Sequence, residues 1–503
     1  MISLNSFKIL KKLSVGNIKI EPKRVKATYS VENYAEEIKS FNLIYSYDKP
    51  YFDKNKTSDV NLASMMLVQV ALNYGLFFES IQFDGVFDGI DQRFIHDMME
   101  NTSREIYTNK LLVKNEFIKP PYNELASEKK TFYTQAKLIF TNKGLKQINQ
   151  SNEDIQIDYH KYAILSSGGK DSLLTYGIIK ELGEPHPVFI NESGRHWFTA
   201  VNAHRYYKAL EPNTEKPWCN SDRLFNWMLR QLPFIKENFA NIRSDIYPIR
   251  LWTVAVFLFG VLPIARKKGL GNILIGNEYD TTVLGNLNGI RHYNSLYDQS
   301  KYFDNALTRY YQAKNWHIKQ FSILRSLSEL LIMKVLIKRY PELQEQQVSC
   351  HAAHEEQGRM YPCGKCEKCR RIIGMIKALD EDPERCGYTE AQIEDGLTAL
   401  SNKSVKQIGS DAAHLYQMLL DKNLIEPNDF TKKAAKSYPE IMKLRFDKER
   451  SHLEDLPHYI RKLLLNILKT YADGTVVRYN HKWIETELND KFINEHHYKY
   501  EKE

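Results

Sequence analysis

The chain is 503 residues long, 43% hydrophobic and 26% charged, the composition of a globular protein with room for two to four domains of about 150 residues. Its net charge of +8, from 70 Lys and Arg against 62 Asp and Glu, suits an anionic small molecule such as a nucleotide but does not call for nucleic acid. Met1 to Leu13 lacks the apolar centre of a signal peptide, and the longest apolar run, Leu251 to Ala265, falls short of the roughly 20 residues of a membrane span. That run reads as a buried helix, and the chain as cytoplasmic with no membrane partner. Oligomeric state is not legible.

Residues 1–155 read as an N-terminal α+β domain. Val25 to Val31 and Phe41 to Tyr47 have strand patterning, Val60 to Phe77 is helical, and Ser80 to Phe87 and Phe132 to Thr141 are further strands. Asp84, Asp88 and Asp91 lie near Gly85 and Gly89, but their spacing misses the EF-hand pattern, and turn-forming aspartates explain them. Gly144 to Glu153 is polar and reads as a linker.

Residues 156–385 change character. Tyr162 to Leu165 is an apolar strand, Ser167-Gly-Gly-Lys-Asp-Ser172 a turn, and Leu173 onward a helix that stops at Gly183. A strand breaking through two glycines into a helix gathers backbone N–H groups at the positive end of a helix dipole, which makes an anion site. His186 to Ile190 and Asn272 to Ile275 are further strands, with helices at Phe198 to Leu210 and Ser221 to Gln231 between them. This alternation implies a parallel sheet with ligands at the carboxyl ends of its strands, after Ser166, Asn191 and Gly276. Glu278 and Asp280 follow the third strand, where a Mg²⁺ ligand or a base would be useful; solvated loop carboxylates are the alternative. Ser326 and Glu329 form a capping box for a helix to about Arg339, with Arg325 at its mouth as either an anion contact or a salt-bridge partner.

Cys350, Cys363, Cys366 and Cys369 follow with Cys-x12-Cys-x2-Cys-x2-Cys spacing, which fits a closed, structural Zn²⁺ site of four thiolates. Residues 386–503 read as a helical C-terminal region, with a capping box at Thr389 and Gln392 and amphipathic runs at Asp411 to Leu420 and Leu456 to Tyr471. Pro427 and Pro439 mark connections, and Glu495 to Glu503 reads as a frayed end.

Ser167-Gly168-Gly169-Lys170-Asp171-Ser172 resembles the PP-loop of the N-type ATP pyrophosphatases, which split ATP into AMP and pyrophosphate. It is not the nucleotide-triphosphatase P-loop, which needs four residues between its first glycine and the Gly-Lys pair. With the cysteine pattern behind it, the chain looks like 7-cyano-7-deazaguanine synthase. Gly276-Asn277-Glu278, Phe321 to Leu330, Ser349-Cys350 and the Cys363 to Cys369 knuckle resemble more closely the UDP-N-acetylmuramoyl-L-alanyl-L-glutamate epimerase family. That resemblance implies an adenine-nucleotide alpha-hydrolase-like parallel sheet, with ATP, Mg²⁺ and Zn²⁺ as cofactors and a small-molecule carboxylate as substrate. Ser167, Gly168 and Gly169 would offer N–H groups to phosphate, Ser172 a hydroxyl, Lys170 a charge and Asp171 an oxygen for Mg²⁺. Asn191 and Glu192 would lie at the nucleoside, with Gly276 in the same crevice. Glu278, Asp280, His292 and Lys301 are candidates for the base. The alternatives are an amide- or nitrile-forming ligase like the deazaguanine synthase, and a nucleotide-binding protein without turnover.

Overall fold

The computed structural model describes residues 2–141, 156–242, 247–406 and 409–501. The chain divides into two compact units: Met1–Ile157 with Lys216–Gly269 and Val283–Ile318, and Asp158–Glu215 with Leu270–Thr282 and Lys319–Glu503. These spans differ from the boundaries read at 155 and 385. The expected linker, Gly144 to Glu153, lies outside the described residues.

The first unit is built on a six-stranded sheet. Its order is Lys137–Phe140, Phe78–Phe83, Leu10–Glu21, Arg24–Glu32, Ile38–Ser46 and Trp218–Cys219, the first three parallel and the remainder antiparallel. The short strand Trp218–Cys219 explains why 216–269 belongs here. It pairs with the edge at Tyr45 and Ser46, and the Asn220 side-chain oxygen accepts from Ile44 N at 2.7 Å. The apolar run forms the helix Val254–Lys267, buried over most of its length, and its Val256 and Gly260 carbonyls accept from the Tyr45 and Tyr47 hydroxyls. The central strand Leu10–Glu21 escapes a reading by alternation because its register shifts between Gly16 and Lys19, around Asn17 at φ 49°.

The second unit holds a four-stranded, all-parallel sheet in the order Lys319–Phe321, Leu270–Leu274, Asp158–Leu165, Glu184–Val188. The expected parallel sheet is therefore present, with an additional edge strand. Tyr162, Ile164, Ile273 and Leu274 are buried, as strands covered on both faces require. The chain leaves the strand Asp158–Leu165 to one side for Glu184–Val188 and later returns on the other side as Leu270–Leu274. The crevice between the carboxyl ends of Asp158–Leu165 and Leu270–Leu274 is thus the topological switch point, where open α/β sheets bind ligands.

The C-terminal region is not purely helical and does not hang from this unit as an appendage. Leu444–Phe446, Thr475–Tyr479 and Lys482–Glu485 form a three-stranded sheet. Leu464, Leu465 and Leu468 of the helix His458–Lys469 share one core with Ile164, Leu174 and Leu336. Each fully buried leucine contributes about 2 kcal/mol, so the tail is integral to the unit. Tyr498 is buried too, with the Lys319 ammonium 5.0 Å from its ring centre, so the chain is packed beyond Glu495. Among the described residues no helix is long and apolar enough to cross a membrane.

Candidate functional site

The glycine turn sits at the switch point. Ser166 continues the strand, its N–H donating to Val188 O at 2.9 Å, and the helix Lys170–Leu182 begins after Gly169 with no capping side chain. The N-terminal amides of that helix therefore have no side-chain acceptor, the condition under which an anion binds. Gly168 has φ +76°, and a Cβ there would stand 2.2 Å from Thr199 O, so only glycine fits. A Cβ on Gly169 would meet only Ser167 Oγ, at 3.5 Å, so the protein leaves the space over that residue open.

The hydroxyls of the turn hold its shape. Ser172 Oγ accepts from Ser167 N at 3.2 Å and donates to Gly169 O at 3.0 Å, and Thr199 Oγ1 donates to Ser167 O at 3.2 Å. Ser172 thus shapes the turn from within. From behind, Val348 N donates to Gly168 O at 3.4 Å.

Gly276 brings the loop after the third strand against this helix start: a Cβ there would lie 2.8 Å from the Asp171 carbonyl. The approach gathers Lys170, Asp171 and Glu278, to which the structure adds Glu329. The buried Lys170 ammonium lies 2.9 Å from Asp171 Oδ1, 3.2 Å from Glu329 Oε1 and 3.6 Å from Glu278 Oε2. Burial alone would lower its pKa, but the three carboxylates more than offset this and hold the lysine charged. Burial pushes the Glu278 carboxyl well above the ordinary range; Lys170 opposes the shift, while Asp171, Glu329 and Asp280 reinforce it. Glu278 Oε2 is buried without a hydrogen-bond partner. Three carboxylates thus surround one lysine, and Glu278 Oε2 meets it only as the 3.6 Å ion pair.

Glu329 was legible only as half of a capping box. The structure moves that cap: Ser328, not Ser326, accepts from Leu331 N, at 3.0 Å, while Ser326 O accepts from Arg445 N. Glu329 is left to reach Lys170 with one oxygen, and its other oxygen meets Arg371 at 3.4 Å. The Arg325 guanidinium donates to the Thr281 and Thr282 hydroxyls at 2.9 and 3.1 Å and steadies the Glu278 loop.

Asp280 turns away from the lysine toward Arg445 and Arg450, at 4.0 and 3.7 Å, two residues of the C-terminal region. Asn191 accepts from Ser193 N at 2.7 Å within its own turn, and Glu192 is buried. His292 and Lys301 belong to the other compact unit and are not among the groups gathered at Lys170.

The four knuckle cysteines come together, with all sulfurs within 4.8 Å of one another. The Cys366 sulfur is 3.5 Å from that of Cys369 and 3.7 Å from that of Cys350, and the Cys363–Cys369 separation is 3.8 Å. Tetrahedral zinc with Zn–S bonds of about 2.3 Å has sulfur–sulfur edges of about 3.8 Å, whereas a disulfide spans about 2.0 Å. The set could therefore hold zinc and is not disulfide-bonded. Cys366 opens the helix Glu367–Ala378, which carries Arg371, so the knuckle connects to Lys170 through Arg371 and Glu329. The chain matches no protein-family model, and no curated protein matches it.

Proposed function

We propose that this chain is an ATP-dependent enzyme of the PP-loop type that adenylates a substrate carboxylate, with the glutamate of UDP-N-acetylmuramoyl-L-alanyl-L-glutamate as its leading substrate. The observation that carries the reading is the uncapped helix start at Gly169, with Gly276 holding Lys170, Asp171 and Glu278 against it. The amides of the turn and the Lys170 ammonium would take the charge of the departing pyrophosphate. Asp171 would hold Mg²⁺, which supplies further charge neutralisation at the phosphates when bound.

A carboxylate oxygen attacks the α-phosphorus, the bond to the bridging oxygen breaks, and pyrophosphate leaves. Esterifying the carboxylate removes its negative charge and acidifies the neighbouring C–H, so a base can withdraw that proton and a proton can return on the other face. Water then frees the acid and AMP. Glu278, its carboxyl already held toward the protonated form, suits the proton-donating side of such an exchange.

The test is pyrophosphate release from ATP and Mg²⁺ with the muramyl dipeptide, followed by chiral analysis of the glutamate. Inverted glutamate with AMP supports the epimerase. AMP formation that depends on ammonia and leaves the glutamate unchanged points instead to a ligase like 7-cyano-7-deazaguanine synthase. ATP binding without release of pyrophosphate for any acid would leave a nucleotide-binding protein.

A further inference from the structure

A second group of ligating side chains converges in the C-terminal segment. His452, Glu454 and His496 each present one ligand atom, and these atoms lie within 4.8 Å of one another. His452 Nδ1 is 3.5 Å from Glu454 Oε2, His496 Nδ1 is 4.0 Å from Glu454 Oε1, and the imidazole centres are 4.5 Å apart. A tetrahedral ion with N and O bonds of about 2.0–2.2 Å has ligand–ligand edges near 3.4 Å. Closing the difference takes rotation of the side chains, in which His452 Nδ1 would exchange the bond it accepts from Glu454 N, at 3.4 Å, for the ion.

The backbone beneath them is fixed. Arg461, fully buried on the helix His458–Lys469, donates Nη2 to Leu453 O and Leu456 O, both at 2.7 Å. Its Nη1 donates to Ile493 O at 2.9 Å and to His496 O at 2.5 Å. One guanidinium thus fastens the turn that carries Glu454 to the segment that carries His496. Lys499 N, donating to Glu454 O at 3.3 Å, adds a further tie. A chelate assembled in advance in this way forgoes most of the ordering cost of binding. The three side chains are 21%, 46% and 36% exposed, so an ion can enter from solvent and keep water in its remaining positions.

We propose that His452, Glu454 and His496 form an open site for a divalent transition ion, zinc above all, separate from the four-cysteine knuckle. Two imidazoles and one carboxylate select borderline ions of the zinc–copper group over Mg²⁺ or Ca²⁺, which favour all-oxygen shells. The site also gives Arg461 a purpose, since a buried arginine spending four hydrogen bonds on backbone carbonyls holds two segments in register.

The experiment titrates zinc into the full-length protein after chelator dialysis and one-equivalent reloading, read by calorimetry and by metal analysis after gel filtration. Wild type is expected to take a second equivalent. His452→Ala with His496→Ala should abolish it, and Glu454→Gln should weaken it by about tenfold or more. Circular dichroism checks that each variant folds; if the double variant does not, His496→Gln takes its place. A wild type that takes no second equivalent, or a second equivalent that persists undiminished in the folded variants, overturns the proposal.

Discussion

Two buried lysines, one in each unit, sit among carboxylates, and they are built to opposite ends. In the first unit Lys314 pairs with Asp88 and Asp91, and every carboxylate oxygen around it is engaged. Asp88 caps the helix Gly89–Ile106, while Asp91 accepts from Tyr310 Oη at 2.7 Å, Asn61 Nδ2 at 2.6 Å and Asp88 N at 2.9 Å. In the second unit Lys170 faces three carboxylates, one of which, Glu278, meets it only as an ion pair, beside a helix start with no side-chain cap. The first cluster is a closed staple. The second includes the partly exposed Asp171 and an uncapped helix start, neither of which a structural ion pair requires.

The largest effect expected from breaking this contrast is on the staple. Lys314→Met strands two buried aspartates and should cost about 3–5 kcal/mol in urea unfolding. Asp171→Ala should change stability by no more than about 1 kcal/mol, because that carboxylate is partly exposed, yet lower pyrophosphate release about 10²–10³-fold. Equal stability losses in the two variants would erase the distinction.

Another buried acid sharpens it. Asp298 accepts from Thr253 N and Val254 N at 2.9 and 2.8 Å, and burial, only partly offset by those N–H groups, pushes its carboxyl up from 3.8 to about 7. A carboxyl raised in the folded state holds its proton more tightly there than in the unfolded chain. Its contribution is full below about pH 4 and is lost as pH rises through about 7, with a slope of up to about 1.4 kcal/mol per pH unit. Denaturant midpoints at pH 5 and pH 8 should therefore differ less in Asp298→Asn than in wild type.

The two glycines of the turn give the finest discrimination. Gly168→Ala forces a Cβ against Thr199 O at positive φ and should cost about 1–3 kcal/mol. Gly169→Ala has room within the protein and should leave stability within about 1 kcal/mol of wild type, while weakening ATP binding about tenfold or more, as measured by calorimetry. Unchanged nucleotide affinity in Gly169→Ala would mean that the open space over this turn is not where phosphate lies.

What could be read in advance was what is local. The glycine turn and the Thr389–Gln392 capping box each occupy a few adjacent residues and the cysteine pattern twenty, and each forms where its pattern stands. Glu329 and Arg445 could not be read because their partners lie far away in the chain, and an acid opening a helix looks the same whatever it touches. The edge strand Lys319–Phe321 is three residues long, too short for any period to declare itself. The hairpin Thr475–Glu485 hid because its turn, Asn480-His481, takes positive φ at both residues without a glycine to announce it.

Glu329 has one oxygen on Lys170 and the other on Arg371, which rides the helix that Cys366 begins, while Val348, two residues before Cys350, backs the glycine turn. The cysteine knuckle and the glycine turn are thereby fastened to one frame at two points. Were the knuckle to hold zinc and the turn a nucleotide as proposed, loss of the ion would slacken both fastenings together, and zinc supply would be felt at the nucleotide.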